Sequence, residues 1–347
     1  MPFGGDYVSF WTAGRLLLEG RAAEVFQPEL FFAAQEQAID GNVAHFLWNY
    51  PPTFQMLMAP FATLPPNLSV VLWWGSTLLL FLVGARFVGG RWEAPLVVMS
   101  STACLLNLSH GQNGFLLGGL FLCGFALLRE GRAFWAGIVL GLISLKPHFG
   151  VLLPVAFVAS RDRDAFLGAT LSVVGTALLS LVVVGSEAWI GFGTNLGSLH
   201  SALVANLYPQ SMVVSIYMML RTLGATDGIA LFGQALGAVV AAGAVWSAWR
   251  RGYSDRAVAV LLLATPLVNP YFYYYDLILW ACAGVFAVLH ARDVGWKFGE
   301  RELWALSIVA PIGIGSIWDV SGLQLGALMS MLMLGMMMRS GVRMSHA

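Results

Sequence analysis

The sequence predicts an all-α protein that crosses a membrane many times. Of its 347 residues, 58% are hydrophobic and only 10% are Asp, Glu, Lys or Arg, against roughly 25% charged residues in an ordinary soluble domain. Apolar runs recur from Leu64 to the C-terminus, and a bilayer core about 30 Å thick needs about 20 such residues per helix. This composition excludes a free cytosolic enzyme. The zero net charge excludes an electrostatic binder of nucleic acid.

The apolar runs predict a single membrane domain over residues 1–347, with a fold of about 11 transmembrane helices. Within it we distinguish a first outer loop (1–65), a transmembrane module (66–184), a second outer loop (185–227) and C-terminal transmembrane helices (228–347). The predicted helices cover residues 66–85, 94–109, 114–128, 133–145, 148–159, 165–184, 228–249, 257–268, 276–290, 303–318 and 321–338.

The positions of Lys and Arg predict the orientation, because these residues are retained on the cytoplasmic side. Fourteen of the 18 lie in alternate loops, and the other four, Arg15, Arg21, Lys146 and Arg221, lie on the opposite side. The C-terminus is therefore predicted to be cytoplasmic, and the short basic inner loops leave the outer face for any active site. The inner set is Arg86, Arg91, Arg129, Arg132, Arg161, Arg163, Arg250, Arg251, Arg256, Arg292, Lys297, Arg301, Arg339 and Arg343.

An odd number of spans with a cytoplasmic C-terminus places residues 1–65 outside. The first ten residues, MPFGGDYVSF, contain neither a signal peptide nor an apolar span to carry them there. We therefore expect the natural chain to have one more transmembrane helix before Met1, which gives twelve. An in-frame stop codon directly upstream, with no apolar segment before Met1, would contradict this expectation.

The outer loops contain the longer irregular segments. Residues 9–26 and 28–40 have the pattern of amphipathic helices that lie on the membrane interface. Residues 50–66 are apolar but too short to cross, and paired prolines bound them, so they predict a juxtamembrane or re-entrant segment. Residues 185–227 are expected to contain another interfacial helix, SMVVSIYMMLRTLG.

Asp6 is a lone acid in the glycine turn GGDYVSFW, at the outer surface before the first amphipathic helix. An Asp in this position can cap a helix by accepting hydrogen bonds from its free N–H groups. It can also act as a general base that faces the membrane boundary. The second interpretation needs support from other residues of the predicted outer face.

Lys146, in LKPHFG, lies between two apolar arms that are each too short to cross a bilayer. Lys146 and His148 should therefore lie below the outer surface, where a cation is tolerated beside a protein-lined cavity. A buried cation of this kind is usually kept for an anionic partner. The alternative is a lysine that snorkels from a helix end broken by Pro147.

Three further segments of the outer face carry polar or aromatic side chains. NPYFYYYDL places Asn269, Tyr275 and Asp276 at a second recessed hairpin, where they hold substrate or serve as aromatic-belt and capping residues. In SHGQNG, Gln112 and Asn113 hydrogen-bond either sugar hydroxyls or their own backbone.

His45 and His200 are isolated outer histidines. The cysteines Cys104, Cys123 and Cys282 lie in apolar runs without metal-ligand spacing.

The sequence resembles bacterial glycosyltransferase family 87, which has the GT-C fold. The resemblance covers Gly4 to about residue 290 and rests on five blocks in the same order. These are GGDYVSFWTAGRLLLEGRAAEVF, the YPP of residues 50–52, GQNGFLL from Gly111, LKPHFG from Leu145 and NPYFYYYDL. Members of this family are similar to transferases that use polyprenyl-phosphate mannose or arabinose as donor.

The resemblance implies an integral-membrane inverting glycosyltransferase on the outer face of the bacterial cytoplasmic membrane. GT-C enzymes use an acid in the first outer loop as catalytic base, and the matching residue here is Asp6. Lys146 and His148 would stabilise the leaving phosphate. The remaining candidates would hold sugar and acceptor. No cofactor or metal is expected, because the only DxD-like pair, Asp162 and Asp164, lies at an inner span end. The substrate-binding candidates are Gln112, Asn113, Asn269, Tyr275 and Asp276.

The expected partners are a polyprenyl-phosphate sugar, a glycan or glycolipid acceptor, and membrane lipid. A transporter or flippase for lipid-linked sugars is the main competing class, although such proteins tend to contain internal repeats and acids near the membrane midplane. A non-catalytic partner of a membrane synthase is the third class. The sequence identifies neither the sugar nor the acceptor.

Overall fold

The computed structural model describes residues 5–38, 45–90, 92–204 and 209–339, which form helices and connecting turns. One isolated antiparallel β-bridge joins Val213 to Tyr273. The predicted end of the second amphipathic helix at residues 39–40, and the inner cations Arg91 and Arg343, lie outside the described residues.

The helices follow one another with short connections. They are α1 Tyr7–Leu18, α2 Pro28–Ala38, α3 Pro52–Met58, α4 Pro66–Gly89, α5 Glu93–Met99, α6 Thr102–His110, α7 Gly114–Arg129, α8 Ala133–Gly141, α9 Pro147–Gly150, α10 Leu153–Ser160, α11 Arg163–Val184, α12 Ser186–Val204, α13 Ile216–Thr222, α14 Asp227–Trp249, α15 Asp255–Ala264, α16 Ile278–Val294, α17 Glu300–Ser321 and α18 Gly326–Arg339. Single 3₁₀ turns cover Ala22–Phe26, Phe61–Thr63, Leu142–Leu145, Gln210–Met212, Thr265–Leu267 and Tyr274–Leu277.

Five helical segments of the described chain are long and apolar enough to cross a membrane: Pro66–Gly89, Arg163–Val184, Asp227–Trp249, Tyr274–Val294 and Glu300–Ser321. Four shorter apolar segments of 10–17 residues accompany them. The expectation of an all-helical, multi-pass membrane protein is confirmed for the described residues, while the count of eleven spans stays a prediction.

The observed helices differ from the predicted ones at several places. The segment predicted over 148–159 is divided into α9 and α10, and the segment predicted over 321–338 is shortened to begin at Gly326. The segment predicted as one helix over 94–109 breaks into α5 and α6, because the Ser101 hydroxyl accepts a hydrogen bond from the Ala103 N–H and starts a new helix. The helix predicted over 9–26 ends at Leu18, and Gly20 follows with φ of 74°. Residues 185–227, the predicted second outer loop, contain the long helix α12, which the sequence pattern did not predict.

The helices α7, α15 and α16 form the buried centre of the bundle. Nearly every residue of α15 and most of α16 are inaccessible to solvent. At the periphery, α8 and α11 approach closely because Gly137 and Gly168 have no side chain. A Cβ on Gly137 would lie 2.1 Å from the Ala165 carbonyl oxygen, and one on Gly168 would lie 2.2 Å from the Phe134 carbonyl oxygen. Such small residues let helices pack backbone to backbone in lipid.

An aromatic cluster fixes α1 against the rest of the protein. Phe10 packs edge-to-face on Phe54, with ring centroids 5.0 Å apart, and on Trp73 at 6.2 Å. A Cβ on Gly14 would lie only 2.5 Å from the Met58 carbonyl oxygen, so α1 and α3 are in direct backbone contact. Asp6 immediately precedes α1 and is placed by this packing.

Candidate functional site

A cavity of about 1600 Å³ lies at the end of the bundle where α1, α6, the α8–α9 turn and α12 meet. Its wall is apolar on the side of Trp74, Leu105, Val151 and Leu196. The polar part of the wall contains most of the residues that the sequence singled out. These are Asp6, Gln112, Lys146, His148, Asn269 and Tyr275, joined by His45, Tyr50, His110 and Tyr273.

Asp6 does not use its carboxylate to cap α1, although it occupies the N-cap position. Its backbone N–H donates to the His110 carbonyl oxygen at 3.0 Å, which attaches the start of α1 to the end of α6. Burial raises the pKa of the Asp6 carboxyl above its ordinary value, while the hydrogen bond from Gln112 and the charge of Lys146 lower it. A carboxylate with a raised pKa at the wall of a cavity is suited to accept a proton near neutral pH.

Gln112 connects two residues of the cavity rather than its own backbone. Its side-chain Nε2 donates to Asp6 Oδ2 at 2.5 Å, and its Oε1 accepts a hydrogen bond from the Tyr50 hydroxyl at 3.2 Å. The turn that carries Gln112 needs Gly111, whose φ of 66° ends α6 in the left-handed region. Gln112 is only 4% exposed.

Lys146, in the cavity wall, forms an ion pair with Asp276, which is fully buried. Lys146 Nζ lies 2.7 Å from Oδ1 and 2.8 Å from Oδ2 of Asp276, and the two side chains are 6% and 0% exposed. Removing two charges from water is costly unless they are paired and hydrogen-bonded. The anionic partner that the buried lysine requires is therefore Asp276. A direct contact between Asp276 and a sugar would require this pair to open.

Aromatic rings surround the ammonium group of Lys146. Its Nζ lies 4.9 Å from the ring centre of Phe149, 5.5 Å from that of Tyr275 and 5.9 Å from that of Tyr50. Tyr273 stacks in parallel on Tyr275 with ring centres 5.3 Å apart. The ring faces are attracted to the cation. Tyr50, Tyr273 and Tyr275 line the cavity, whereas Phe149 is fully buried.

His148 is the second candidate for an anionic group. Its ring lies 5.2 Å from the ring of Phe149, and its Nε2 is buried without a hydrogen-bond partner among the described residues. A buried polar atom without a partner is uncommon in a folded protein. His148 also lines the cavity, so this unsatisfied nitrogen lies in a residue that borders the space for a bound molecule.

Of the two remaining amides, Asn269 lines the cavity, whereas Asn113 is not among the described residues that line it. Asn113 is 1% exposed and occupies the N-cap position of α7, where its side chain makes no capping hydrogen bond. Asn269 Oδ1 accepts a hydrogen bond from the Tyr271 N–H at 2.6 Å, which closes a tight turn at the cavity wall. Asn269 therefore uses its acceptor atom to shape the turn that carries the tyrosines.

The sequence reasoning missed two contacts within motifs that it had quoted. The His110 Nε2 and the Tyr274 hydroxyl form a hydrogen bond of 2.6 Å, which joins SHGQNG to NPYFYYYDL. Tyr50 of the YPP block reaches Gln112, as described above. Both contacts join blocks far apart in sequence, so spacing along the chain could not reveal them.

Of the two isolated histidines that the sequence predicts on the outer face, His45 lines the cavity and His200 does not. His45 lines the cavity rim, where its Nε2 lies 2.7 Å from Glu36 Oε1. His200 Nε2 lies 3.2 Å from Asp227 Oδ2, away from the residues that line the large cavity. In the described part of the chain, no three His, Cys, Asp or Glu side chains are grouped closely enough to hold a metal ion. Metal-free chemistry stays a prediction.

The fold and the cavity define the class: a multi-pass membrane protein with a charged, aromatic-lined cavity at one end of its helix bundle. The model of glycosyltransferase family 87 matches residues 48–270. The chain therefore belongs to glycosyltransferase family 87, which confirms the resemblance and implies a membrane glycosyltransferase. No curated protein and no solved structure matches the sequence.

Proposed function

We propose that this protein transfers a sugar from a polyprenyl phosphate to an acceptor hydroxyl, with inversion, at the outer face of the bacterial cytoplasmic membrane. The observation that carries the proposal is the position of Asp6. This carboxylate lies in the wall of a cavity that is also lined by the buried Lys146 and by His148, whose Nε2 has no partner among the described residues. The family assignment supplies the reaction class.

Asp6 is the proposed catalytic base. It accepts the proton of the acceptor hydroxyl while the hydroxyl oxygen forms a bond to the anomeric carbon of the donor sugar. The bond from that carbon to the phosphate oxygen breaks, and its electron pair leaves with the polyprenyl phosphate. Because attack and departure occur on opposite faces of the anomeric carbon, its configuration inverts.

The leaving phosphate needs charge stabilisation rather than protonation, since a polyprenyl phosphate is already a good leaving group. His148 is the proposed hydrogen-bond donor to it, because this residue lines the cavity and its Nε2 has no partner among the described residues. Lys146 contributes positive charge from its position in the cavity wall, and Asp276 holds its ammonium group in place. No metal ion is required for these steps.

The sugar and the acceptor would be held by the polar and aromatic side chains around Asp6. Tyr275 presents a ring to the cavity, and Asn269 supplies an amide group at its wall. Asn113 is buried beside Gln112 and would reach a substrate only if its side chain moved. The lipid chain of the donor would lie along the apolar part of the wall. There Leu105 is 60% and Leu196 50% exposed, as expected for side chains that face lipid.

Membranes that contain the protein, supplied with labelled polyprenyl-phosphate mannose and with other labelled polyprenyl-phosphate sugars, test the proposal. Asp6→Asn should lower the rate of transfer by about 100-fold or more, because a positioned general base contributes about that much. Asp319→Asn is the matched control, since Asp319 is an exposed acid at the end of α17. This variant should retain the full rate.

Transfer that survives Asp6→Asn would refute Asp6 as the base. No transfer from any lipid-linked donor would refute the proposed reaction and favour a transporter or a non-catalytic partner. Movement of a labelled lipid-linked sugar across the bilayer, without transfer, would then identify the transporter.

A further inference from the structure

The amide of Gln112 lies between the Tyr50 hydroxyl and the Asp6 carboxylate. Its orientation therefore determines whether Asp6 receives a hydrogen bond from Nε2 or faces the acceptor oxygen Oε1. A glutamine amide has a donor end, Nε2, and an acceptor end, Oε1. The Tyr50 hydroxyl donates to Oε1 at 3.2 Å, and this leaves Nε2 to donate to Asp6 Oδ2. With the opposite orientation, Oε1 would face Asp6 and would accept a hydrogen bond only from a protonated carboxyl group.

The backbone on both sides of this contact is fixed. The Gln112 N–H donates to the Asn107 carbonyl oxygen at 3.0 Å, and the Asp6 N–H donates to the His110 carbonyl oxygen at 3.0 Å. Gln112 is 4% exposed, so water does not compete freely for its amide. The distance between Gln112 and Asp6 is therefore set by α6 and the start of α1.

We propose that Gln112, oriented by Tyr50, is a positioning residue that holds Asp6 as an ionised carboxylate with Oδ1 left for the acceptor hydroxyl. The proposal rests on the proposed function, because it takes Asp6 as the base. It assigns to Gln112 a role that acts through Asp6, in contrast to the direct sugar contact suggested by the sequence. Among the described residues, Oδ2 receives the hydrogen bond from Gln112 and no partner reaches Oδ1.

The physical basis is the preference of a donated hydrogen bond for the charged form of its acceptor. Burial of Asp6 favours the protonated carboxyl, which cannot act as a base. The amide of Gln112 opposes this effect without adding a net charge to the cavity. Other titratable groups act on Asp6 as well, so a test must vary the amide alone. They are His110, Lys146, Asp276, Tyr50, Tyr274 and Tyr275.

The first test compares the pH profiles of kcat/KM for the wild type, Gln112→Met and Gln112→Glu. Gln112→Met keeps the size of the side chain but removes the donor, so the acid limb should move to higher pH by about one unit. Gln112→Glu places a second carboxylate beside Asp6, so the two share a proton and the limb should move further in the same direction. KM for the lipid donor should change less than kcat.

The second test asks whether Tyr50 acts through Gln112. Tyr50→Phe frees the amide to rotate and should move the acid limb in the same direction by a smaller amount. In a background of Gln112→Met, the same substitution should move the acid limb no further. A double-mutant cycle gives this result when one residue, here Tyr50, acts only through the other. Tyr217→Phe is the matched control, because its hydroxyl donates to Asp227 at 2.6 Å outside the large cavity. This variant should leave the profile unchanged.

An acid limb that stays in place in Gln112→Met, with a higher KM, would overturn the proposal and establish a direct substrate contact. A shift caused by Tyr50→Phe that persists in full in the double variant would overturn the role of Tyr50. These results are distinct from a failure of the proposed function, which would show as transfer by Asp6→Asn. If Gln112→Met does not fold, as judged by its melting temperature in detergent, the profile of Tyr50→Phe alone decides.

Discussion

Two ion pairs that differ in burial lie near the two ends of α7. Near its N-terminus, Lys146 and Asp276 lie 2.7 Å apart with side chains 6% and 0% exposed. At its C-terminus, Arg129 lies 3.6 Å from Asp255, with side chains 42% and 13% exposed. The helix between them has 16 residues, a length of about 24 Å at 1.5 Å per residue. Similar pairs of charges therefore occupy a buried and a partly exposed environment within one protein.

The difference in burial distinguishes the charges that affect stability and function from those that affect topology. An exposed ion pair contributes little to stability, because water screens both charges. A buried pair is costly to form, and breaking it leaves an uncompensated charge. The Arg129 end also joins predicted inner loops to one another, since Arg129 donates to the Val88 carbonyl oxygen at 3.1 Å and Arg256 donates to the Met337 carbonyl oxygen at 2.9 Å. Charges at this end accord with a role in orientation, whereas those at the cavity accord with chemistry.

The largest effect is expected from breaking the buried pair on one side. Lys146→Met leaves the Asp276 carboxylate buried without its cation and should destabilise the protein by about 3–5 kcal/mol. The melting temperature in detergent should fall accordingly. A melting temperature equal to that of the wild type would show that water reaches Asp276 and that the pair is not buried in solution.

Removing both charges separates stability from activity at the same site. The double variant Lys146→Met, Asp276→Leu should recover most of the lost melting temperature, because an apolar pair of similar size replaces a buried ion pair with little net change in stability. Sugar transfer should not recover, because the positive charge near the leaving phosphate is absent. Recovery of both properties would assign the pair a purely structural role.

The pH dependence of the wild-type protein tests the environment of Asp6 in the cavity, independently of the exposed end of α7. Asp6 acts as a base only when deprotonated, and burial raises its pKa. Activity should therefore fall as the pH decreases through a value above 3.9, the ordinary value of an aspartate side chain. The measurement is kcat/KM as a function of pH, with Arg129→Gln as control. An acid limb at or below that ordinary value would contradict the environment described for Asp6.

The smallest effect is expected at the exposed end of α7. Arg129→Gln removes a pair separated by 3.6 Å and should change stability by less than about 1 kcal/mol. Transfer should proceed at the wild-type rate in protein that is correctly inserted. Accessibility labelling of an introduced cysteine on each side of the membrane would reveal any change in orientation. A large loss of melting temperature would show that this pair is as important as the buried one.

Much of the architecture could be predicted from the sequence, because the bilayer dictates helix length and hydropathy. The boundaries were less predictable. Ser101 interrupts an apolar run by capping a new helix, and helix α12 forms in a loop that composition leaves undecided. Local signals of this kind compete with hydropathy, and their outcome depends on which residues pack nearby.

The sequence by itself determined the helical membrane class, the polarised arrangement of Lys and Arg, and the short blocks that carry Asp6, Gln112 and Lys146. These properties depend on composition and on neighbours along the chain. Two contacts are visible only in the tertiary structure: Lys146 pairs with Asp276, 130 residues away, and Gln112 donates to Asp6, 106 residues away. A hydrogen bond requires atoms within about 3 Å of each other, and over such separations only the packing of the helices brings them together.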